Sequence, residues 1–172
     1  RRVGGVEGQN VLGLFDNRRV ALQLPKMPPH DRAAACFDLY ILGQWDGSAL
    51  VDPGDDSNPP PIIGPDIWAN YMNDARLLVS SFSNRGGFSQ SYPKDYGEGG
   101  FAPRTNAAET GDFNGDTIVD ARYTQCTTQM HNLSKFLLTF YGLNLDGPSG
   151  EQWALDNVSV RIYYDAAFDY VY

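Results

Sequence analysis

The stretch GDFNGDTIVDARY carries the densest set of hard oxygen ligands in the chain. Asp112, Asn114, Asp116 and Asp120 fall at positions 1, 3, 5 and 9 of an EF-hand-type loop, and Ile118 offers the carbonyl of position 7. Calcium takes roughly six to eight oxygens at about 2.3–2.6 Å, and side chains at alternate positions converge on one centre. Two positions depart from the pattern: Thr117 replaces the turn glycine and Tyr123 replaces the bidentate acid. Val119–Gln125 also reads as a strand, whereas such a loop normally opens a helix. An acidic loop running into a strand is therefore the competing reading.

Asp46 in WDG and Asp66 in GPD sit where strand-like runs give way to the segment 46–66, DGSALVDPGDDSNPPPIIGPD. Loops of that length in compact domains are usually functional or tied down. Calcium held by Asp46, Asp66 and nearby carbonyls would rigidify it; both residues also suit ordinary Asx turns. Cys36 and Cys126 lie in separate strand-like stretches, outside any CxxC. Paired, they close a large loop, worth roughly 4–5 kcal/mol in a chain-entropy treatment; unpaired, they are two inert thiols. Asn132-Leu133-Ser134 and Asn157-Val158-Ser159 are glycosylation sequons, Asn132 in the more polar surroundings. Trp45, Trp68, Tyr71, Tyr92 and Tyr96 are available for stacking on sugars, although core packing is the ordinary use of such residues. Catalysis is poorly provided for. His30 and His131 lie in separate turns, and no HExxH, GxSxG, P-loop or GxGxxG-after-strand motif is present. Adjacent loop acids such as Asp55-Asp56 do not set a glycosidase carboxyl separation. The chain is expected not to be an enzyme.

The elements that would position these residues read as strands. The chain has 172 residues, 42% hydrophobic, with Gly 18 and Pro 11. The net charge is −8, and the acid is nearly all aspartate, which favours caps and loops over helix interiors. Such a surface repels phosphate backbones, which argues against nucleic-acid partners, and no apolar run approaches the ~20 residues of a membrane span. RRVALQL alternates Val20, Leu22 and Leu24. AAACFDLYILGQW places Phe37, Leu39 and Ile41 on one face and Cys36, Asp38, Tyr40 and Leu42 on the other, as a central strand would. RLLVSSFSN, TIVDARYTQCTTQ, KFLLTFYGLNL and EQWALDNVSVRIYY are further strand-like runs. PDIWANYMNDARLL comes nearest to a helical period. The fold class implied is all-β, an antiparallel two-sheet sandwich of jelly-roll type with long acidic, Pro- and Gly-rich loops.

The ordered set LFDNRRVALQL, LPKMPPHD, FDLYILGQWDG, GPDIW, SFSN, QSYP and EQWALDNVSV resembles a secreted β-sandwich module of the FDLYxIGSWDG…GPDxW…FSN…QSYP…WxLDNVxV type, found in large extracellular proteins of environmental bacteria and some protists. The likeness runs from Leu12 to Val160. It departs at Gln44, at Gly150-Glu151-Gln152 and in the insert Asp55–Pro61. It implies a fold and an extracellular, secreted or cell-surface address, and no activity. In jelly-roll binding modules an aspartate on the last core strand helps to hold a structural ion, which this likeness would place at Asp156.

Three segments follow: a Gly-rich arm at 1–11, a sandwich domain at 12–164 and an additional strand at 165–172. In the last, Phe168, Tyr170 and Tyr172 alternate with Asp169 and Val171. Such a ribbon either folds back on its own sheet or adds to another copy. A processed chain with an extra terminal strand also resembles a subunit of an extracellular fibril. The expected function is a calcium-supported, glycosylated structural subunit that polymerises with copies of itself. The alternative is a lectin-like module that binds glycans.

Overall fold

The computed structural model describes residues 3–6, 9–52, 54–147 and 150–164, with side chains from Asn10 onward. Phe168, Tyr170 and Tyr172 lie outside the described residues. Ten strands and no helix occur among those described: β1 (Val3–Val6), β2 (Gln9–Phe15), β3 (Arg19–Leu24), β4 (Arg32–Gly43), β5 (Ile67–Met72), β6 (Ala75–Ser81), β7 (Glu109–Gly111), β8 (Asp120–Met130), β9 (Phe136–Leu143) and β10 (Glu151–Tyr163). They form two antiparallel sheets ordered β1-β2-β10-β4-β8-β7 and β3-β9-β5-β6. The Gly-rich start, read as an arm, supplies β1, which pairs with β2 from Val3↔Leu12 to Val6↔Gln9.

The alternation in β4 places the strand as expected, between β10 and β8. Its Phe37, Leu39 and Ile41 face the second sheet, where they share one core with Trp68, Phe136, Leu138 and Phe140. Trp153 joins this core and donates its indole N–H to the Asp16 carbonyl at 2.9 Å. Gly142 lies directly against that indole: a Cβ built there would come within 2.5 Å of Nε1. The opposite face of β4 carries a smaller cluster, in which Tyr40 and Leu42 pack with Val11, Ala154 and Phe113.

Cys36 and Cys126 stand opposite each other in the β4–β8 register and are joined as a disulfide on the outer face of the sheet. The stretch with the helical period is instead the β5–β6 hairpin. Asn73 turns it with φ 51°, a left-handed conformation that Asn tolerates. Both faces of β5 are largely buried, so an apolar residue at nearly every position obscured the period of two.

No described helix is long and apolar enough to cross a membrane.

Candidate functional site

The acids of the 46–66 loop converge at one end of the sandwich. β4 ends at Gly43, β5 begins at Ile67 and β10 begins at Glu151, so Asp46, Asp66 and Glu151 are delivered together from three strand ends. The Asp66 carboxylate accepts the backbone N–H of Asp46 and that of Gly47 through Oδ2. The Asp66 N–H donates to the Gly47 carbonyl at 2.9 Å. Both ends of the loop are thus tied to one residue. Asp66 is 0% exposed, Glu151 1% and Asp46 3%. Asp146, exposed on the loop before β10, closes the group: single oxygens of Asp46, Asp146 and Glu151 lie within 4.8 Å of one another. Arg85 is the cation in contact, 2.6 Å from Asp46 Oδ1 and 3.3 Å from Asp52. Burial, reinforced by the neighbouring Glu151, pushes the Asp66 carboxyl far above the ordinary aspartate value; burial raises Glu151 likewise. Asp66 Oδ1 has no hydrogen-bond partner.

The sequence had paired Asp46 with Asp66, and the structure brings them together. It had missed Asp146 and Glu151, which lie roughly eighty to a hundred residues further along the chain, with only two acids in six residues as a signal. Asp156 does not join them. It sits at a bulge of β10 on the outer face, where its carboxylate accepts the Asn157 N–H.

The acidic loop before β8 forms a second, shallower group in which Asp112, Asp116 and Asp120 are close. Its carboxylates are largely turned onto its own backbone. Asp112 accepts the N–H groups of Gly115, Asp116 and Thr117, and Asp116 accepts that of Ile118 and the Asn114 amide. Thr117, the departure from the glycine rule, takes the left-handed conformation with φ 70°. Asp120 is buried and accepts the N–H of Gly43 at 2.7 Å and of Phe113 at 3.0 Å. Burial nevertheless raises its carboxyl to about 6. The loop therefore holds Phe113 over Tyr40, ring centroids 5.7 Å apart, and runs into a strand.

The two histidines, separate in sequence, meet between the β3–β4 and β8–β9 connections. His30 Nδ1 lies 2.6 Å from the Pro28 carbonyl, so it donates there, leaving Nε2 to accept from His131 Nδ1 at 2.6 Å. His131 Nε2 then accepts the Asn73 amide at 3.1 Å. The Asn73 carbonyl oxygen accepts the Leu137 N–H at 2.8 Å, which fixes the orientation of the amide. Burial first, and the neighbouring His30 second, hold the His131 imidazole below the usual histidine value.

A third feature is an open seam along one side. β2 pairs with β10 at Phe15↔Trp153 and Leu12↔Leu155. Beyond the bulge at Asn157 (φ 51°), the half of β10 from 158 to 163 ladders with β4 alone among the described residues. β3, the facing edge strand of the other sheet, ladders with β9 alone among the described residues. Between them runs an apolar cleft of about 190 Å³ lined by Leu12, Val20, Leu22, Phe140, Leu155 and Val158. Val160 and Ile162 continue its half-buried wall.

Of the aromatics considered for sugar stacking, Trp45 and Trp68 are core residues at 0% exposure. Tyr92 stacks on Phe82, centroids 4.8 Å apart. Tyr96 is exposed, and Tyr71 lines a groove of about 460 Å³ on the outer face of the four-stranded sheet with Tyr141, Arg19, Asn73 and Thr139. The sequon residue Asn132 is exposed in the β8–β9 turn. Asn157 donates its amide to Asp38 at 2.7 Å, a bond that a glycan on the same nitrogen would disturb.

The chain matches no protein-family model, no curated protein and no solved structure.

Proposed function

We propose that this chain is a structural subunit that assembles with copies of itself by strand addition, in an extracellular setting. The observation that carries the reading is the seam. Among the described residues, the main-chain groups of β10 from 158 to 163 have no ladder partner on one side, directly beside half-buried Val158, Val160 and Ile162. A strand with an apolar residue at every second position would satisfy both the backbone and the apolar wall. The sequence contains such a ribbon in Phe168, Tyr170 and Tyr172. Supplied by another copy, it makes a heterologous contact, and where the rotation does not close the product is a filament. We also read β2-β10-β4-β8 against β3-β9-β5-β6 as jelly-roll winding. The cross-strand disulfide suits an oxidising compartment, and the exposed Asn132 suits glycosylation.

Deleting residues 166–172 tests the reading. The expected outcome is a folded, monodisperse protein that no longer forms filaments in electron micrographs. Filaments of undiminished length from the deleted chain would refute strand addition by this ribbon.

One observation favours a second reading, a glycan-binding module. The groove on the four-stranded sheet offers Tyr71 and Tyr141 with Arg19, Asn73 and Asp74 as hydrogen-bonding groups. A glycan array with a Tyr71→Ala control separates the two: a specific binder lost in the variant supports the module.

A further inference from the structure

We propose that the carboxylate nest at the base of the 46–66 loop is a calcium site, with Asp46, Asp66, Asp146 and Glu151 as its protein ligands. The site is built independently of how copies assemble. Three of the four acids are almost wholly buried, and among the described residues one guanidinium, that of Arg85, reaches the group, on Asp46. A buried set of like charges needs a counter-charge or must take up protons. The geometry favours an ion. Two ligands on opposite sides of a calcium ion stand roughly 4.6–5.2 Å apart at ordinary Ca–O distances, and oxygens of Asp46, Asp146 and Glu151 are mutually within 4.8 Å.

Asp66 supplies the independent observation. Its Oδ2 is used by two backbone N–H groups, whereas Oδ1, on a residue with 0% exposure, accepts no hydrogen bond. The Asp66 carboxylate lies against Glu151, one of the three acids whose oxygens converge, so the unsatisfied oxygen belongs to the acid group. An oxygen left unsatisfied in a dry place is costly, and coordination removes that cost. Gly64 packs against this oxygen as well; a Cβ there would stand 3.3 Å from Oδ1.

The ligand chemistry selects the metal. All four side chains are carboxylates, and no imidazole or thiolate is present, which disfavours zinc and copper. Ligands drawn from three strand ends and a loop make an irregular shell, which calcium accepts more readily than magnesium with its octahedral demand. Bound there, the ion would bridge the start of β10 to both ends of the loop.

Calcium titration of the intact, chelator-stripped protein tests this by calorimetry and thermal unfolding. The expected result is one binding event that raises Tm, with magnesium markedly weaker. Asp146→Asn, at an exposed position that leaves the core untouched, should weaken calcium binding at least about tenfold, as loss of one charged ligand does. Glu151→Gln should abolish it. Asp112→Asn, in the other acidic loop, should leave affinity unchanged. The proposal is overturned if no binding occurs up to about 10 mM calcium, well above the affinities of weak extracellular calcium modules. It is equally overturned if Asp146→Asn binds as the parent does, or if Asp112→Asn removes the event.

Discussion

At the scale of single residues, the His30–His131 contact makes a prediction about acid. Its hydrogen bonds run one way, from Asn73 to His131 to His30 to the Pro28 carbonyl, and each ring is neutral in that arrangement. Protonating His131 places an N–H on Nε2 opposite the Asn73 N–H, and Asn73 is prevented from flipping by its bond to Leu137. The folded-state pKa is accordingly lowered, first by burial and then by His30. The unfolded chain binds a proton near pH 6.5, and the folded chain resists it. At this group the unfolded state carries more protons below that pH, so its contribution to stability falls as pH falls and is regained above about 6.5. The buried Asp120, Glu151 and Asp66 carboxyls, raised in the fold, contribute with the opposite sign. Unfolding of the parent and of His131→Gln followed from about pH 7.5 to 5.5 should therefore show the parent losing its advantage over the variant as pH falls; an unchanged difference would assign the acid sensitivity elsewhere. The sequence presented these as two unrelated turn histidines. Their pairing depends on the ends of β4 and β8 being neighbours, which no local pattern encodes. The same holds for Glu151, whose partners Asp46 and Asp66 lie more than eighty residues earlier.

At the scale of elements, an acidic loop with ligand-like spacing does a packing task. Asp120 accepts the Gly43 and Phe113 N–H groups, and Phe113, 3% exposed, is thereby held over Tyr40 on the outer face of β4. Removing that ring leaves Tyr40 and Leu42 under a cavity. Phe113→Ala is expected to cost about 3 kcal/mol, at the low end for a buried Phe because the loop can partly collapse. In a chain of this size that lowers Tm by about 10 °C. Thermal unfolding checks it, and a change of only a degree or two would show the loop to be dispensable to the sheet. Strand identity was legible where one face is buried and the other wet, as in β3 and the second half of β10, where exposure alternates residue by residue. In β4 both faces are apolar, yet its length and the flanking turns were enough. In β5 they were not: burial on both faces removed the period of two, and a turn centred on Asn73 carries no glycine to announce it. A loop entering a strand was one of two readings that GDFNGDTIVDARY allowed, beside a calcium loop, but the role of Phe113 was invisible, since its partner Tyr40 lies in another element.

At the scale of the whole molecule, the seam and the charge act against each other. With a net charge of −8, copies repel at long range, so association needs a short-range term large enough to overcome it. In the proposed assembly, main-chain pairing along β10 together with burial of aromatic side chains against Val158, Val160 and Ile162 would supply one. Repulsion between exposed charges is screened beyond roughly 10 Å at 0.1 M salt, so polymerisation should accelerate as salt is added. A head-to-tail polymer also has one open seam at an end, and anything that fills it stops growth there. A synthetic peptide covering Ala167–Tyr172, added in excess to the intact chain, should therefore shorten filaments in electron micrographs in a dose-dependent way. The same peptide with serine in place of Phe168, Tyr170 and Tyr172 should have no effect, because it can pair its backbone but cannot fill the apolar wall. If both peptides shorten filaments equally, backbone pairing alone drives the contact and the seam's side chains are irrelevant to it. If neither does, the seam does not accept the strand, and the growing end of any polymer must be sought on another face.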